Sequence, residues 1–386
     1  MLKQNNLLIF ILALGTFSIL NTEVGIIGIL PLIADNFQVS LSQAGLLVSS
    51  FALIIAISGI IMPLIFSRFN RKYVMLMVLG IFILGNMISM IAPNFYVALL
   101  GRTVPAFFHP IYCSLAFVVA ASIVEKEKIP QAVSKIMMGV SAGIVIGIPI
   151  TNFIAYTFSY QYAMLFFTIV NIIAFVLTMI FVPSMPVENK ISYGSQLLVL
   201  KKSITWISLS VTTFIGAGLF SAYAYIAQYL QEISLINEDS LSLILFLFGV
   251  ASILGNYIAG KLLVKNPLGL VILYPVVFSI VYLLLFNTGS VLFLVIPLVL
   301  IWGILNGIGN NIQQYWIVSA IPQAPDFANG LFISFGNLGT TIGTFMGGMI
   351  LAQWGIHYVV FGGIVFFILT FMAVIFRVKF FVVAES

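Results

Sequence analysis

The sequence predicts an all-α membrane protein: twelve transmembrane helices in two pseudo-symmetric six-helix bundles. Three observations carry that reading, namely an extreme apolar composition, twelve apolar stretches of spanning length, and basic residues confined to one side. Of the 386 residues, 62% are hydrophobic and only 6% are charged, with a mean hydropathy of +1.21. An ordinary soluble domain is about a quarter charged. Runs of about 20 apolar residues cross a bilayer core as helices. Backbone polar groups there need internal partners, which leaves helices or a closed barrel. The runs are too long and too continuously apolar for barrel strands, which alternate.

Spans fall near 7–32, 41–65, 73–91, 96–121, 133–156 and 162–182. Six more follow near 204–230, 240–260, 268–286, 290–318, 328–351 and 356–376. Between the sixes, "PSMPVENKISYGSQLLVLKKS" (183–203) is the longest hydrophilic interruption and the expected cytoplasmic linker. The expected bundles are therefore 1–182 and 204–386. The first run extends too far, without a small-residue cleavage pattern, to be a signal peptide.

Fourteen of the fifteen basic residues fall on one side of this arrangement: Lys3, Arg68, Arg71, Lys72, Lys126, Lys128, Lys135, Lys190, Lys201, Lys202, Lys261, Lys265, Arg377 and Lys379. The opposite loops carry Asp35, Glu232, Glu238 and Asp239. Basic residues concentrate in cytoplasmic loops, so both termini and the linker are expected inside. Topology also accounts for the pI of 9.2, and no nucleic-acid partner is expected. The single cysteine, Cys113, excludes an intramolecular disulfide and any Cys-based metal site.

The halves repeat weakly. "GIPITNF" from Gly147 matches "GTFMGGM" from Gly343, with Tyr162 and Tyr358 each fifteen residues on. Gly143 matches Gly339, and alignment of Gly101 with Gly303 sets His109 beside Asn311. Internal repeats favour a transporter with its site at the repeat interface, whereas glycine-rich helix packing alone needs no common ancestor.

The chain resembles a major facilitator superfamily transporter of the twelve-helix drug:proton antiporter branch, most like the sugar, arabinose and purine efflux permeases. The residues that carry this are "TEVGIIGILPLIADNF", "AGLLVSSFAL", "PNFYVALLGR" and "GIPITNF". The resemblance implies rocking of two halves around a midplane site. In the loop between spans two and three, "PLIFSRFNRK" has Pro63 and Asn70 where the family has glycines and Ser67 where it has a latching aspartate. Arg68, Arg71 and Lys72 remain, either for conformational cycling or as topology anchors. In span five, Gly139, Gly143 and Gly147 recur every four residues before Pro149. That spacing lines one helix face and permits close backbone approach, and proline can kink the span. In the family such a motif marks exporters.

Glu23 and Arg102 are the ionisable residues expected at depth. Glu23 lies twelve residues before Asp35, or about 18 Å, and Arg102 eight residues after Asn94, or about 12 Å, at 1.5 Å per residue. An Arg at a helix centre costs about 2.5–3.5 kcal/mol on insertion scales, so such groups pair or face water. Desolvation raises a carboxyl pKa and a nearby arginine lowers it. Alternation between those settings would bind and release a proton, with Glu23 as carrier and Arg102 tuning it; a static ion pair between spans one and four is the other reading. Arg102, Ala106, His109 and Cys113 share one face of span four, and His109 either touches substrate, joins a proton relay or packs helices.

Span ten, "LNGIGNNIQQYW", sets Asn306, Asn310, Gln313 and Gln314 in a polar stripe, with Asn311 beside it. Such a stripe must face helices or a water-filled cavity. Amides both donate and accept hydrogen bonds. With Asn21, His109, Tyr223 and Gln228, the residues Asn306, Asn310, Asn311 and Gln314 are the expected substrate contacts. Amides beside aromatics suit sugars, nucleobases, nucleosides or lipophilic drugs. No phosphate loop is present, so ATP does not drive the cycle. No catalytic constellation can be assembled, and no cofactor or metal is expected.

The expectation is a monomeric, proton-coupled exporter in a bacterial inner membrane, working on a small molecule. An uncoupled facilitator or importer, or a membrane sensor, is the alternative.

Overall fold

The computed structural model describes residues 2–187 and 193–382. Lys190 and part of the linker lie outside them, and the side chains of Lys3, Glu238 and Asp239 are likewise outside the description. The described residues form helices and no strands. In order these are α1 (Leu2–Val24), α2 (Leu30–Phe37), α3 (Leu41–Phe66), α4 (Arg71–Met90), α5 (Phe95–Ser122), α6 (Ile129–Val145), α7 (Gly147–Thr157) and α8 (Tyr160–Phe181). Then come α9 (Tyr193–Leu197), α10 (Ser203–Tyr223), α11 (Ile226–Glu232), α12 (Glu238–Lys265), α13 (Pro267–Thr288), α14 (Leu292–Ala320), α15 (Pro325–Trp354) and α16 (Val359–Arg377).

Among the described residues, eleven segments are long and apolar enough to span a membrane. The twelfth expected span corresponds to α15, thirty residues whose apolar run is diluted by glycines, Asn329 and Asn337. Short polar caps start several helices. Ser40 and Gln43 form a reciprocal capping box on α3, while Asn94 caps α5 and Asn237 caps α12. Each satisfies amides that the first helical turn leaves without partners.

Three spans are broken. Span one stops at Val24 and resumes through a 3-10 turn as α2, with Pro31 near its start. Span five breaks between α6 and α7 at Ile146, three residues before Pro149. Proline there removes the amide that would bond to the Val145 carbonyl. Span seven breaks between α10 and α11.

The chain divides into two compact units, Met1–Gln196 with Ala324–Ser334, and Leu197–Gln323 with Phe335–Ser386. The first turns of α15 thus belong to the N-terminal unit and the rest of that helix to the other. Phe51, Phe82 and Tyr112 pack the N-terminal core; Tyr274, Phe278, Tyr282, Trp302 and Phe367 pack the C-terminal one. Large apolar side chains also point outward, with Phe293 85% and Phe345 70% exposed. A surface of that kind is matched to lipid rather than water.

The glycine stripes carry the repeat. A Cβ on Gly139 would meet the Ala13 carbonyl and Thr16, one on Gly143 would meet Leu20 and Phe17, and one on Gly147 would meet the Asn21 side chain. In the C-terminal unit Gly339 faces Thr213 and Gly343 faces Ala217. Asn21 and Ala217 are 196 residues apart, as are Gly147 and Gly343. The offset therefore holds on both helices of each pair, so the same helix–helix contact is built twice.

Candidate functional site

Glu23 is the next-to-last residue of α1, where helix carbonyls lack amide partners. The span breaks immediately afterwards, at Gly25. Arg102, on α5, donates Nη2 to the main-chain carbonyl of Glu23 at 3.0 Å. A cation at a helix C-terminus also opposes the dipole's negative end. Arg102 is therefore a buried cap on α1, 2% exposed, and no ion pair joins it to the Glu23 carboxylate. The static Glu23–Arg102 ion pair, the other reading of these two residues, is not the arrangement seen.

The carboxylate turns instead to His109. Glu23 Oε2 stands 3.0 Å from His109 Nε2, with side-chain exposures of 19% and 6%. The contact is a close approach rather than an aligned hydrogen bond, since Oε2 has no hydrogen-bond partner. Seven residues, close to two turns, separate Arg102 from His109 on α5, so both reach the same neighbour. Phe51 of α3 lies between their roles: the Arg102 guanidinium sits 5.2 Å from its ring centroid, and the His109 ring meets it edge-on at 6.2 Å. Cys113 Sγ is 3.9 Å from His109 Nε2. Phe51 escaped the sequence reading because an apolar residue on an apolar helix gives no signal of what it contacts.

Beside this site runs a neutral polar network. Thr22 Oγ1 accepts from Asn171 at 3.0 Å and from Asn86 at 3.3 Å, and Ser18 donates to Asn171 Oδ1 at 3.2 Å. It ties α1 to α4 and α8. Asn21 faces elsewhere, fully buried against Gly147, with neither amide atom hydrogen-bonded.

The amide stripe of span ten divides in two. Asn311 donates to Asn256 at 2.7 Å and to the Gly307 carbonyl at 2.9 Å. Asn306 donates to Ser252 at 3.1 Å, and Gln313 to the Gly309 carbonyl at 3.3 Å. Gln314 is buried. Asn310 is half-buried, with no hydrogen bond among the described residues. Tyr223 stacks on Phe248 at 5.0 Å and meets Trp302 at 6.4 Å. Gln228 donates to Glu232 at 2.8 Å, on its own helix. The structure thus joins Tyr223 to an aromatic wall and leaves Gln228 in a local pair. Among the described residues, no group of three or more His, Cys, Asp and Glu side chains could hold a metal.

The departures in the loop between spans two and three have structural partners. Asn70 caps α4 through the Lys72 amide, donates to Ser184 at 2.8 Å and accepts from the Met185 amide. Ser67 accepts from Gln196 at 3.0 Å. Arg71 Nη2 lies 3.8 Å from Asp326 Oδ2, and Ser114 donates to the Asp326 carbonyl at 2.8 Å. Gly330 approaches Gly59 and Pro63 one turn further along α15. Arg71 thus has an acid neighbour within the same unit, Asp326. Asp326→Asn should lower the melting temperature of solubilised protein, and a double-mutant cycle with Arg71→Gln should return a coupling of about 1 kcal/mol. A coupling of zero would make the pair incidental.

Comparison with known proteins agrees with this architecture. The model of the Major Facilitator Superfamily matches residues 12–325. An uncharacterized MFS-type transporter of Bacillus subtilis, YtbD, is 31% identical over 94% of this chain and 93% of its own. A probable sugar efflux transporter of Helicobacter pylori is 25% identical, covering 92% of this chain and 91% of that protein. The crystal structure of the human organic anion transporter MFSD10 superimposes with a TM-score of 0.77 at 15% identity, over 96% of this chain and 99% of that one. A family match across most of the chain, two broken six-span halves and a repeated glycine contact lead to one assignment: this protein is a multi-pass membrane transporter belonging to the Major Facilitator Superfamily.

Proposed function

We propose that the protein is a proton-coupled exporter of a neutral small molecule, working by alternating access in a bacterial inner membrane with both termini cytoplasmic. The observation that carries this is the Glu23–His109 pair, two titratable groups 3.0 Å apart and largely withdrawn from solvent. Ionisable side chains within a membrane mark proton or substrate pathways by default. With the outside acidic, the pair takes a proton while outward-facing and substrate leaves. Facing inward, the proton departs to the cytoplasm and substrate enters.

Efflux is supported by the name of the Helicobacter pylori relative, and by the Gly139–Gly143–Gly147–Pro149 pattern packed against α1. A neutral, hydrogen-bonding substrate is supported by the half-buried amide of Asn310 on α14, the helix whose Trp302 meets Tyr223, with sugars the first class to test. The cationic side chains gathered in the loops on one side of the spans, Arg68, Arg71 and Lys72 among them, support the orientation.

The test is transport in right-side-out and inverted vesicles, with proton flux followed while sugars, nucleosides and lipophilic drugs are offered in turn. Flux of protons that depends on one class supports coupling. Substrate movement without proton flux identifies a facilitator, and binding without movement a sensor.

Asn310 and Asn311 separate recognition from packing. Asn310→Ala should weaken binding of the transported compound by about 1–2 kcal/mol, roughly five- to thirtyfold, with normal folded yield. Asn311→Ala should instead lower folded yield, because it removes the buried hydrogen bonds that Asn311 donates to Asn256 and to the Gly307 carbonyl. Equal loss of yield in both variants would remove Asn310 from the site.

A further inference from the structure

Arg102 is only partly used. One nitrogen, Nη2, holds the Glu23 carbonyl, while Nε and Nη1 are buried without a hydrogen-bond acceptor. Buried guanidinium N–H groups left unmatched are costly, and the Phe51 ring face recovers only part of that cost. An acid adjoins this unfilled capacity, Glu23 itself. Its main chain is already in the guanidinium's grasp, while its carboxylate points to His109. Rotation of one side chain therefore exchanges one partner for the other.

We propose that Glu23 exchanges partners between His109 and Arg102 during the cycle, and that the coupled proton rides on the His109 imidazole while Glu23 faces it. This rests on the proton-coupled reading above. In the arrangement seen here the carboxylate stands at Nε2 and stabilises an imidazolium. When the carboxylate turns to the free N–H groups of Arg102, the imidazolium loses its counter-charge. The Nε2–H bond then breaks, its electron pair stays on Nε2, and a water molecule in the open pathway takes the proton. The three groups pass from a net charge of +1 to zero.

Other groups around the imidazole do not supply an alternative. Phe51, from α3, is uncharged, and Cys113 lies at 3.9 Å on α5 itself. Beside Arg102 rather than the imidazole, Tyr160 of α8 donates its hydroxyl to the Ser89 carbonyl at 3.1 Å. His109 is then the proton carrier. Arg102 is a positioning residue that acts through the carboxylate, in addition to capping α1.

The experiment uses full-length protein in lipid nanodiscs, labelled with 15N in histidine and arginine and titrated with protons alone. The chain has two histidines, so His357→Gln leaves the His109 signals unambiguous, and Arg102→Lys identifies the Arg102 Nε resonance by its loss. Deprotonation of His109 Nε2 and a downfield shift of Arg102 Nε–H, the mark of an arriving carboxylate, should share one midpoint. In Glu23→Gln the arginine signal should stay still, and His109 should hold its proton at least about tenfold less tightly. In His109→Gln the arginine signal should occupy the shifted position at every pH. An Arg102 signal that is silent while His109 titrates overturns the exchange, as does an imidazole that is never charged. The reading beneath it fails differently: normal vesicle coupling in Glu23→Gln refutes coupling at this site, whereas lost coupling with a silent arginine refutes only the exchange. The chain has four arginines, so Arg68→Lys, Arg71→Lys and Arg377→Lys assign the other three Nε resonances and fix that of Arg102 by elimination if Arg102→Lys does not fold.

Discussion

Glu23→Gln is expected to abolish uphill export and transport-linked proton movement together. Glutamine keeps the shape and some hydrogen bonding of the acid but carries no charge, so it leaves the His109 imidazole without the counter-ion it faces at 3.0 Å. A buried charge deprived of its partner costs about 3–5 kcal/mol, enough to keep the imidazole neutral through the cycle. Without a proton that changes hands, the gradient has no hold on the conformational equilibrium. Downhill movement of a neutral compound should survive, because the amides on α14 and the aromatic wall at Tyr223 are untouched. The measurement is paired: accumulation in inverted vesicles under a proton gradient, and counterflow without one. Counterflow retained with accumulation lost is the expected result. Accumulation at the original level would place the coupled proton elsewhere, with Asp35 next to test.

Gly139→Leu is expected to abolish transport through packing alone. At Gly139 a Cβ would run into the Ala13 carbonyl, which is main chain and has no rotamer to change. At Gly143 the nearest atoms are Leu20 Cβ at 2.9 Å and the Phe17 carbonyl oxygen at 3.1 Å, so leucine there should be damaging but less so. Overpacking a close interface costs about 1–3 kcal/mol, occasionally more. Here it acts where α6 lies against the helix that carries Glu23. Gly45 provides the control, since a Cβ on it meets nothing within 4 Å; Gly45→Ala should be neutral or slightly stabilising, as alanine is the better helix former. Folded yield by size-exclusion profile and transport rate should rank Gly45→Ala, Gly143→Leu and Gly139→Leu in that order. Full transport by Gly139→Leu would show that α1 and α6 separate more easily than this contact allows.

Both expectations draw on features visible in the sequence for different reasons. The glycine spacing of span five identified a close face, because a period of four residues places side chains on one side of a helix whatever surrounds it. The partner of that face, Ala13 to Asn21 on α1, was not readable. Asn21 illustrates the limit: its spacing from Glu23 gives its face of α1 but not that it lies against Gly147. Gln228 likewise gave no sign that it donates its amide to Glu232.

By itself the sequence determined that the chain crosses a membrane as helices in two related halves. It also marked Glu23, Arg102 and His109 as titratable groups within apolar spans, and span ten as carrying amides. Those follow from composition, period and the rule that backbone and charge must be satisfied inside a bilayer. Only the tertiary structure decided the pairings. It gave the carboxylate of Glu23 to His109 and its carbonyl to Arg102, gave Arg71 an acid from α15, and divided the amide stripe between Asn311, which is bonded, and Asn310, which is not. The physical reason is that spacing along one helix sets the depth and face of a side chain. Which neighbour meets that face depends on where other helices break and how closely glycine lets them approach, and those distances are set between segments far apart in the chain.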